Sequence, residues 1–249
     1  MVELGNLFAK AFGRHFIEVR QCRYGMHDVA EVNDERQFLT RGVQKLGLSL
    51  TDANIDALLN YLALLVKWNR AYNLTAVRDP MQMVSRHLLD SLSVASLVDG
   101  QRILDVGTGP GLPGIPLAIL FPERQFELLD SNGKKTRFLI EAKLQLSLDN
   151  VQVHCCRVES LRDEQGFDGI TSRAFASLAD MAGGCEHLLA PQGKLYAMKG
   201  QYPEQELSQL PKRFIVETCH TLSVPGVDEA RHLMVIASQH RGEHSASDQ

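Results

Sequence analysis

"ILDVGTGPGLPGIPLA", residues 103–118, runs two aliphatics into an acid, places Gly107, Gly109, Gly111 and Gly114 within eight residues, and then resumes an apolar run. A strand that ends in bare backbone and is followed by a helix places that turn at the strand's carboxyl end, where ligands of open parallel sheets dock. The turn is therefore a ligand seat. A dinucleotide fingerprint needs glycine at the third position of G-x-G-x-x-G, but counting from Gly107 and Gly109 gives Leu112, which weakens a pyrophosphate reading. Pro110 and Pro113 set up a helix start whose free N–H groups favour an anion such as a carboxylate.

Outward from this turn the elements alternate. The pattern predicts strand 102–107, a helix near 111–120, strand 125–130, helix 134–147, strands 151–156 and 167–172, helix 177–189 and strand 193–199. A pair at 213–222 and 231–238 reads as an antiparallel edge hairpin. The order is that of a doubly wound, mostly parallel Rossmann-like α/β sheet. Asp130 closes the second strand about twenty residues beyond the first, where an acid accepts hydrogen bonds from ribose hydroxyls. Val158 and Glu159 follow the third strand, an apolar cover and a polar edge for adenine. A nucleoside that carries an amino acid rather than a diphosphate is S-adenosylmethionine.

Ahead of the glycines, Thr51 is placed as an N-cap with Leu50 and Ile55 as a hydrophobic staple, opening an amphipathic helix to about Trp68. Asp79 and Pro80 open a second helix with Val84, Leu88, Leu92 and Ala95 on one face. The expected organisation is an extension at 1–38, poorly ordered and dispensable for the fold, a helical cap at 39–99, the α/β domain at 100–240 and a polar tail at 241–249. Asn73-Leu74-Thr75 matches a glycosylation sequon and, without a secretory signal, reads as chance.

The chain has 249 residues, 44% hydrophobic, with a formal charge of −4. That charge supplies no global field for a polyanion, so a nucleic-acid partner requires a local basic patch. No apolar run is long enough to span a membrane. Cys22, Cys155, Cys156, Cys185 and Cys219 are odd in number and lack C-x-x-C spacing; they read as reduced, buried thiols of a cytoplasmic protein with no metal site.

From about Leu48 to Ile236 the chain resembles the bacterial RsmG family, also called glucose-inhibited division protein B. The matching stretches are "KWNRAYNLTAVRDP" (67–80), "RHLLDS" (86–91), "LDVGTGPGLPGIPLA" (104–118), "LLDSNGKKTRFL" (128–139), "FDGITSRAFASL" (167–178) and "YAMKG" (196–200). The resemblance implies a class I S-adenosylmethionine-dependent methyltransferase fold with a helical N-terminal cap. It also implies methylation of guanine N7 in 16S ribosomal RNA, free or in the small subunit; a monomer is the default expectation, on which the sequence itself is silent. It assigns cofactor contacts to Gly107, Leu112, Val158, Glu159 and Arg173; Gly109 belongs to the same turn, and Asp130 is the ribose acid by the general class I pattern.

Guanine N7 carries a free lone pair, so no general base is required, and the acceleration comes from alignment. "RHLLDS" is accordingly not a triad: neighbours on one helix cannot build a nucleophile elbow. Arg86 is expected to pair with Asp90 along the helix, leaving His87 toward the sheet or the substrate. Arg173, Lys199, Asn73, Arg86, His87 and Arg231 are the substrate-side candidates. Lys134, Lys135 and Arg137 are either phosphate contacts or a solvated helix face.

Overall fold

A computed structural model describes residues 28–239, with side chains from residue 33. The chain opens with helix α1 (Asp28–Lys45), which runs through the boundary expected at residue 38. The rest of the expected extension, with Cys22, and the expected tail lie outside the described residues.

Helix α2 (Asp52–Tyr72) starts as its sequence dictates. Thr51 accepts from Asn54 N–H while the Asn54 side chain accepts from Thr51 N–H, a reciprocal box that satisfies two free donors. It ends at Asn73, whose left-handed backbone (φ 51°) stops the helix four residues later than expected. Helix α3 is composite: Asp79 caps Pro80–Met83, the turns widen to i→i+5 spacing over Val84–Leu89, and Asp90–Leu92 completes it. Val84, Leu88, Leu92 and Ala95 are all buried, as their spacing required.

Then come β1 (Arg102–Val106), α4 (Gly114–Leu120), β2 (Gln125–Leu129), α5 (Gly133–Leu146), β3 (Val151–His154), β4 (Phe167–Ser172), α6 (Leu178–Cys185), β5 (Leu189–Lys199), α7 (Glu204–Ser208), β6 (Phe214–Thr221) and β7 (His232–Ser238). The strands form one sheet in the order β3-β2-β1-β4-β5-β7-β6. β1 to β5 are parallel; β7 is antiparallel to both β5 and β6.

Side-chain alternation along the strands divides the core in two. Ile103, Leu128, Tyr196, Met198, Leu233 and Val235 face α1 to α5. Their neighbours Leu104, Leu129, Leu195, Ala197, Met234 and Ile236 face α6. The cap helices thus share one continuous core with a sheet face.

Three expectations shift. The glycine turn delays α4 to Gly114, because Leu112-Pro113 still belongs to the turn. β3 ends at His154, so Val158 and Glu159 stand on a separate helical turn, Val158–Ser160. α6 stops at Cys185, with one tighter turn at Glu186–Leu188 before β5 begins at Leu189. The thiols also differ from expectation: Cys185 is buried and burial pushes it up to about 12, but Cys155 is exposed and Cys156 and Cys219 are half-buried.

Candidate functional site

Gly107, Gly109 and Gly111 hold φ of 65°, 63° and 99°, a left-handed run that side-chain-bearing residues avoid. Gly107 and Gly111 also have no room: a Cβ on Gly107 would stand 2.7 Å from Ala174 Cβ, and one on Gly111 2.6 Å from Ile115. Gly109 differs. Its nearest neighbour to an added Cβ is Gly107 O at 4.0 Å, so here the backbone borders open space.

The turn is tied down from three sides. Leu129 O accepts from Gly107 and Thr108 N–H at 2.8 and 3.1 Å. Asp105 Oδ2 accepts from the Thr108 hydroxyl at 2.6 Å and from Gly114 N–H at 2.9 Å. From the cap, Tyr61 donates its hydroxyl to Pro110 O at 2.7 Å. Burial pushes Asp105 up to about 6 against the pull of those donors, and burial raises Tyr61 far above the usual phenol range. Asp105 Oδ1, buried beneath the turn, has no hydrogen-bond partner among the described residues.

Asp130 is buried at the tip of β2, accepting from Gly109 N–H at 3.0 Å, Asn132 N–H at 2.8 Å and Lys135 Nζ at 3.4 Å. Its first task is to shape the turn, and a carboxylate with about four acceptor sites retains capacity for a further donor. Leu112 and Val158 are buried and Glu159 is exposed at the same carboxyl edge. Open space beside Gly109, Asp130 within reach of it, and an apolar residue followed by a free acid after β3 together fit the sugar and base of an adenosine ligand.

Next to the turn, Ser172 donates to Val106 O at 2.8 Å and locks the tips of β4 and β1 together. Arg173 follows immediately and lines a cavity of about 360 Å³ with Arg86, His87, Asp90, Lys199 and Arg231. Five of the six substrate-side candidates therefore converge. Asn73 does not line the cavity; it caps α2 and accepts from Arg78 at 2.5 Å. A second cavity of about 280 Å³, lined by Leu48, Val98, Asp99 and Phe121, lies at the opposite edge, ahead of β1.

Every cation of the first cavity is paired. Asp90 accepts from Arg173 Nη1 at 2.7 Å and from Arg231 Nε at 3.1 Å. Arg86 binds Glu229 at 2.6 Å, and Lys199 binds Glu206 at 2.8 Å. The expected Arg86–Asp90 pair is not formed: the widened turn puts Asp90 inside, between two arginines, and Arg86 outside. His87 Nε2 meets Thr75 Oγ1 at 2.9 Å; burial lowers its pKa to about 4, leaving the ring neutral.

Tyr61, Asp105, Glu206 and Glu229 were not singled out from the sequence. Asp105 carried a signal, as the acid that ends the strand before the glycines. Tyr61 looked like any other residue on an apolar helix face, and the two glutamates acquire their roles only through long-range folding.

The family model described as GidB, rRNA small subunit methyltransferase G, matches residues 54–234. A ribosomal RNA small subunit methyltransferase G from Stutzerimonas stutzeri (strain A1501) is 56% identical over 200 residues, covering 80% of this chain and 93% of that protein. One of the same description from Pseudomonas syringae pv. syringae (strain B728a) is 54% identical over 200 residues, covering 80% and 94%. Among solved structures, an S-adenosylmethionine-dependent methyltransferase from Aquifex aeolicus aligns with a TM-score of 0.50 at 17% identity, covering 66% of this chain and 96% of that one, a likeness of fold. With a class I methyltransferase fold and relatives matched across nearly their whole length, the chain belongs to the rRNA small subunit methyltransferase G family.

Proposed function

We propose that this protein transfers a methyl group from S-adenosylmethionine to N7 of a guanine in 16S ribosomal RNA. The glycine turn with Gly107, Gly109 and Leu112, together with Asp130, Val158 and Glu159, holds the cofactor, and the cavity beyond Arg173 receives the base. When bound, the cofactor supplies an electrophilic methyl group on a cationic sulfur.

The observation that supports the choice of acceptor is that each carboxylate at the cavity is committed to a cation, Asp90 to two arginines, Glu206 to Lys199 and Glu229 to Arg86. Of the two imidazoles there, His87 is buried and held by Thr75, and His232 turns Nδ1 to Gly200 O at 3.3 Å. A hydroxyl or exocyclic amine acceptor needs its proton removed; guanine N7 has none to lose. What remains for the chain is placement, an effect worth about 7–11 kcal/mol when reacting atoms are well aligned. Arg173, between the turn and the cavity, and Lys199 and Arg231 across it suit contacts to guanine O6 and the flanking phosphates. RNA is read mostly at unstacked bases, which suits a cavity that admits one.

The test incubates the protein with methyl-labelled S-adenosylmethionine and separate pools of ribosomal RNA, small subunits, protein and metabolites. Label in 16S RNA is the expected result. Label confined to protein or metabolites overturns the reading.

A further inference from the structure

We propose that the exposed end of α2 and the first turns of α5 form a second RNA contact, which stacks one unpaired base on Tyr72 and grips the adjoining phosphates. This rests on the ribosomal RNA reading above and adds a subsite outside the cavity.

Charge is the first observation. In a chain of net charge −4, no Asp or Glu occurs between Asp56 and Asp79 or between Asp130 and Glu141. Those two stretches carry Lys67, Arg70, Arg78, Lys134, Lys135 and Arg137. Lys67, Arg70, Lys134 and Arg137 are exposed and make no ion pair among the described residues. Among the described residues, Arg78 is held by Asn69 O and Asn73 Oδ1 alone. The cavity cations, by contrast, all have carboxylate partners. Uncompensated cations leave a local positive field, which a polyanion neutralises with release of its counterions.

Aromatic geometry is the second. Trp68 stacks on Tyr72 with ring centroids 5.2 Å apart and meets Phe138 of α5 edge-on at 5.7 Å. Phe138 in turn lies 6.2 Å from Tyr61, the residue that holds the glycine turn. The outer ring, Tyr72, is 44% exposed. Asn73, next to Tyr72, holds Arg78, and on α5 Lys134 lies one helical turn before Phe138 on the same side. An exposed ring braced from behind, on a surface with uncompensated cations, is an arrangement suited to binding single strands without sequence preference.

Continuity with the cavity is the third. The segment after Tyr72 reaches the cavity directly: Thr75 binds His87, and Val77 is part of the cavity wall. A strand with one base in the cavity can follow residues 78 to 73 onto this face.

The test measures binding of a fluorescein-labelled single-stranded RNA to the full chain across a salt series, with S-adenosylhomocysteine affinity, melting temperature and methyl transfer followed in parallel. Tyr72→Ala should weaken RNA binding roughly tenfold and Tyr72→Phe should restore it, as expected for base stacking. Lys134→Glu and Arg137→Glu should each weaken binding and flatten its salt dependence, whereas Lys212→Glu should do neither. Cofactor affinity and melting temperature should stay constant throughout. Unchanged RNA binding in Tyr72→Ala and Lys134→Glu overturns the proposal. So does loss of methylation of assembled subunits with RNA affinity intact, which would assign the face to a ribosomal protein. RNA binding that depends on Tyr72, without any transfer to ribosomal RNA, would leave this surface standing and overturn the proposed reaction instead.

Discussion

Arg173 Nη1 donates to Asp90 Oδ2 at 2.7 Å, joining the tip of β4 to α3 across 83 residues of sequence. Arg231 occupies the other oxygen of the same carboxylate, so Asp90 fixes two guanidinium groups at once. The Asp90 side chain is 6% exposed while those of Arg173 and Arg231 are 27% and 22% exposed. Asp90→Asn should therefore reduce methyl transfer at least tenfold by releasing both arginines. Its stability loss should be about 2 kcal/mol, below the value for a fully buried pair because the arginines retain water. Turnover and chemical denaturation measured on the same preparation check this; normal turnover removes the positioning role.

Gly109 and Gly107 should separate cofactor binding from folding. At Gly109 an added methyl meets open space, and the left-handed backbone alone costs about 1–2 kcal/mol. At Gly107 the same backbone strain adds to a 2.7 Å contact with Ala174. Gly109→Ala should lower S-adenosylhomocysteine affinity more than tenfold with a small loss of melting temperature, whereas Gly107→Ala should lose both. Calorimetry and thermal denaturation read the two quantities.

Tyr61→Phe deletes the one hydroxyl that, among the described residues, reaches the turn from the cap, and leaves Pro110 O without that donor. An unsatisfied buried carbonyl costs about 1–3 kcal/mol. Cofactor affinity should fall because the turn loses its clamp, and denaturant titration should show the matching loss of stability.

Two buried groups oppose each other in acid. Asp105, raised to about 6 from an ordinary carboxylate, holds more protons folded than unfolded, so its contribution falls as pH rises from about 4 to 6. His87, lowered to about 4, holds fewer, so its contribution rises with pH from about 4 to 6.5 and is lost on acidification through that window. Replacing His87 with Gln should remove the rising component, on the order of 3 kcal/mol for a shift of this size. The stability difference between the two proteins should therefore depend on pH between about 4 and 6.5 and level off above it. A difference flat with pH would mean that His87 is not held neutral.

The parallel sheet and its edge hairpin were legible because strand alternation and turn residues act locally: Ile103 and Leu104, or Leu128 and Leu129, had to face opposite sides. The glycine turn was legible because left-handed backbone leaves glycines in the sequence. Asp90 was misread because spacing along a helix names i+4 neighbours but not a helix that widens, nor partners 83 and 141 residues away. Asn73, a substrate-side candidate from the sequence, also stops α2 through its left-handed backbone, a role its residue type alone did not reveal. For the same reason Tyr61 was invisible, since nothing local distinguishes a core tyrosine from one whose hydroxyl lands on a distant carbonyl.

The central claim is a cofactor at the glycine turn and a guanine N7 in the cavity beyond Arg173. It is tested most directly by treating unmethylated small subunits with the protein and S-adenosylmethionine, then reducing the RNA and cleaving it with aniline, which breaks the chain at N7-methylguanine. The account predicts one new cleavage in 16S RNA that appears with the unaltered protein and is lost with Gly109→Ala and Asp90→Asn. Methyl incorporation into that RNA without a new cleavage, or a cleavage that survives both substitutions, would contradict it.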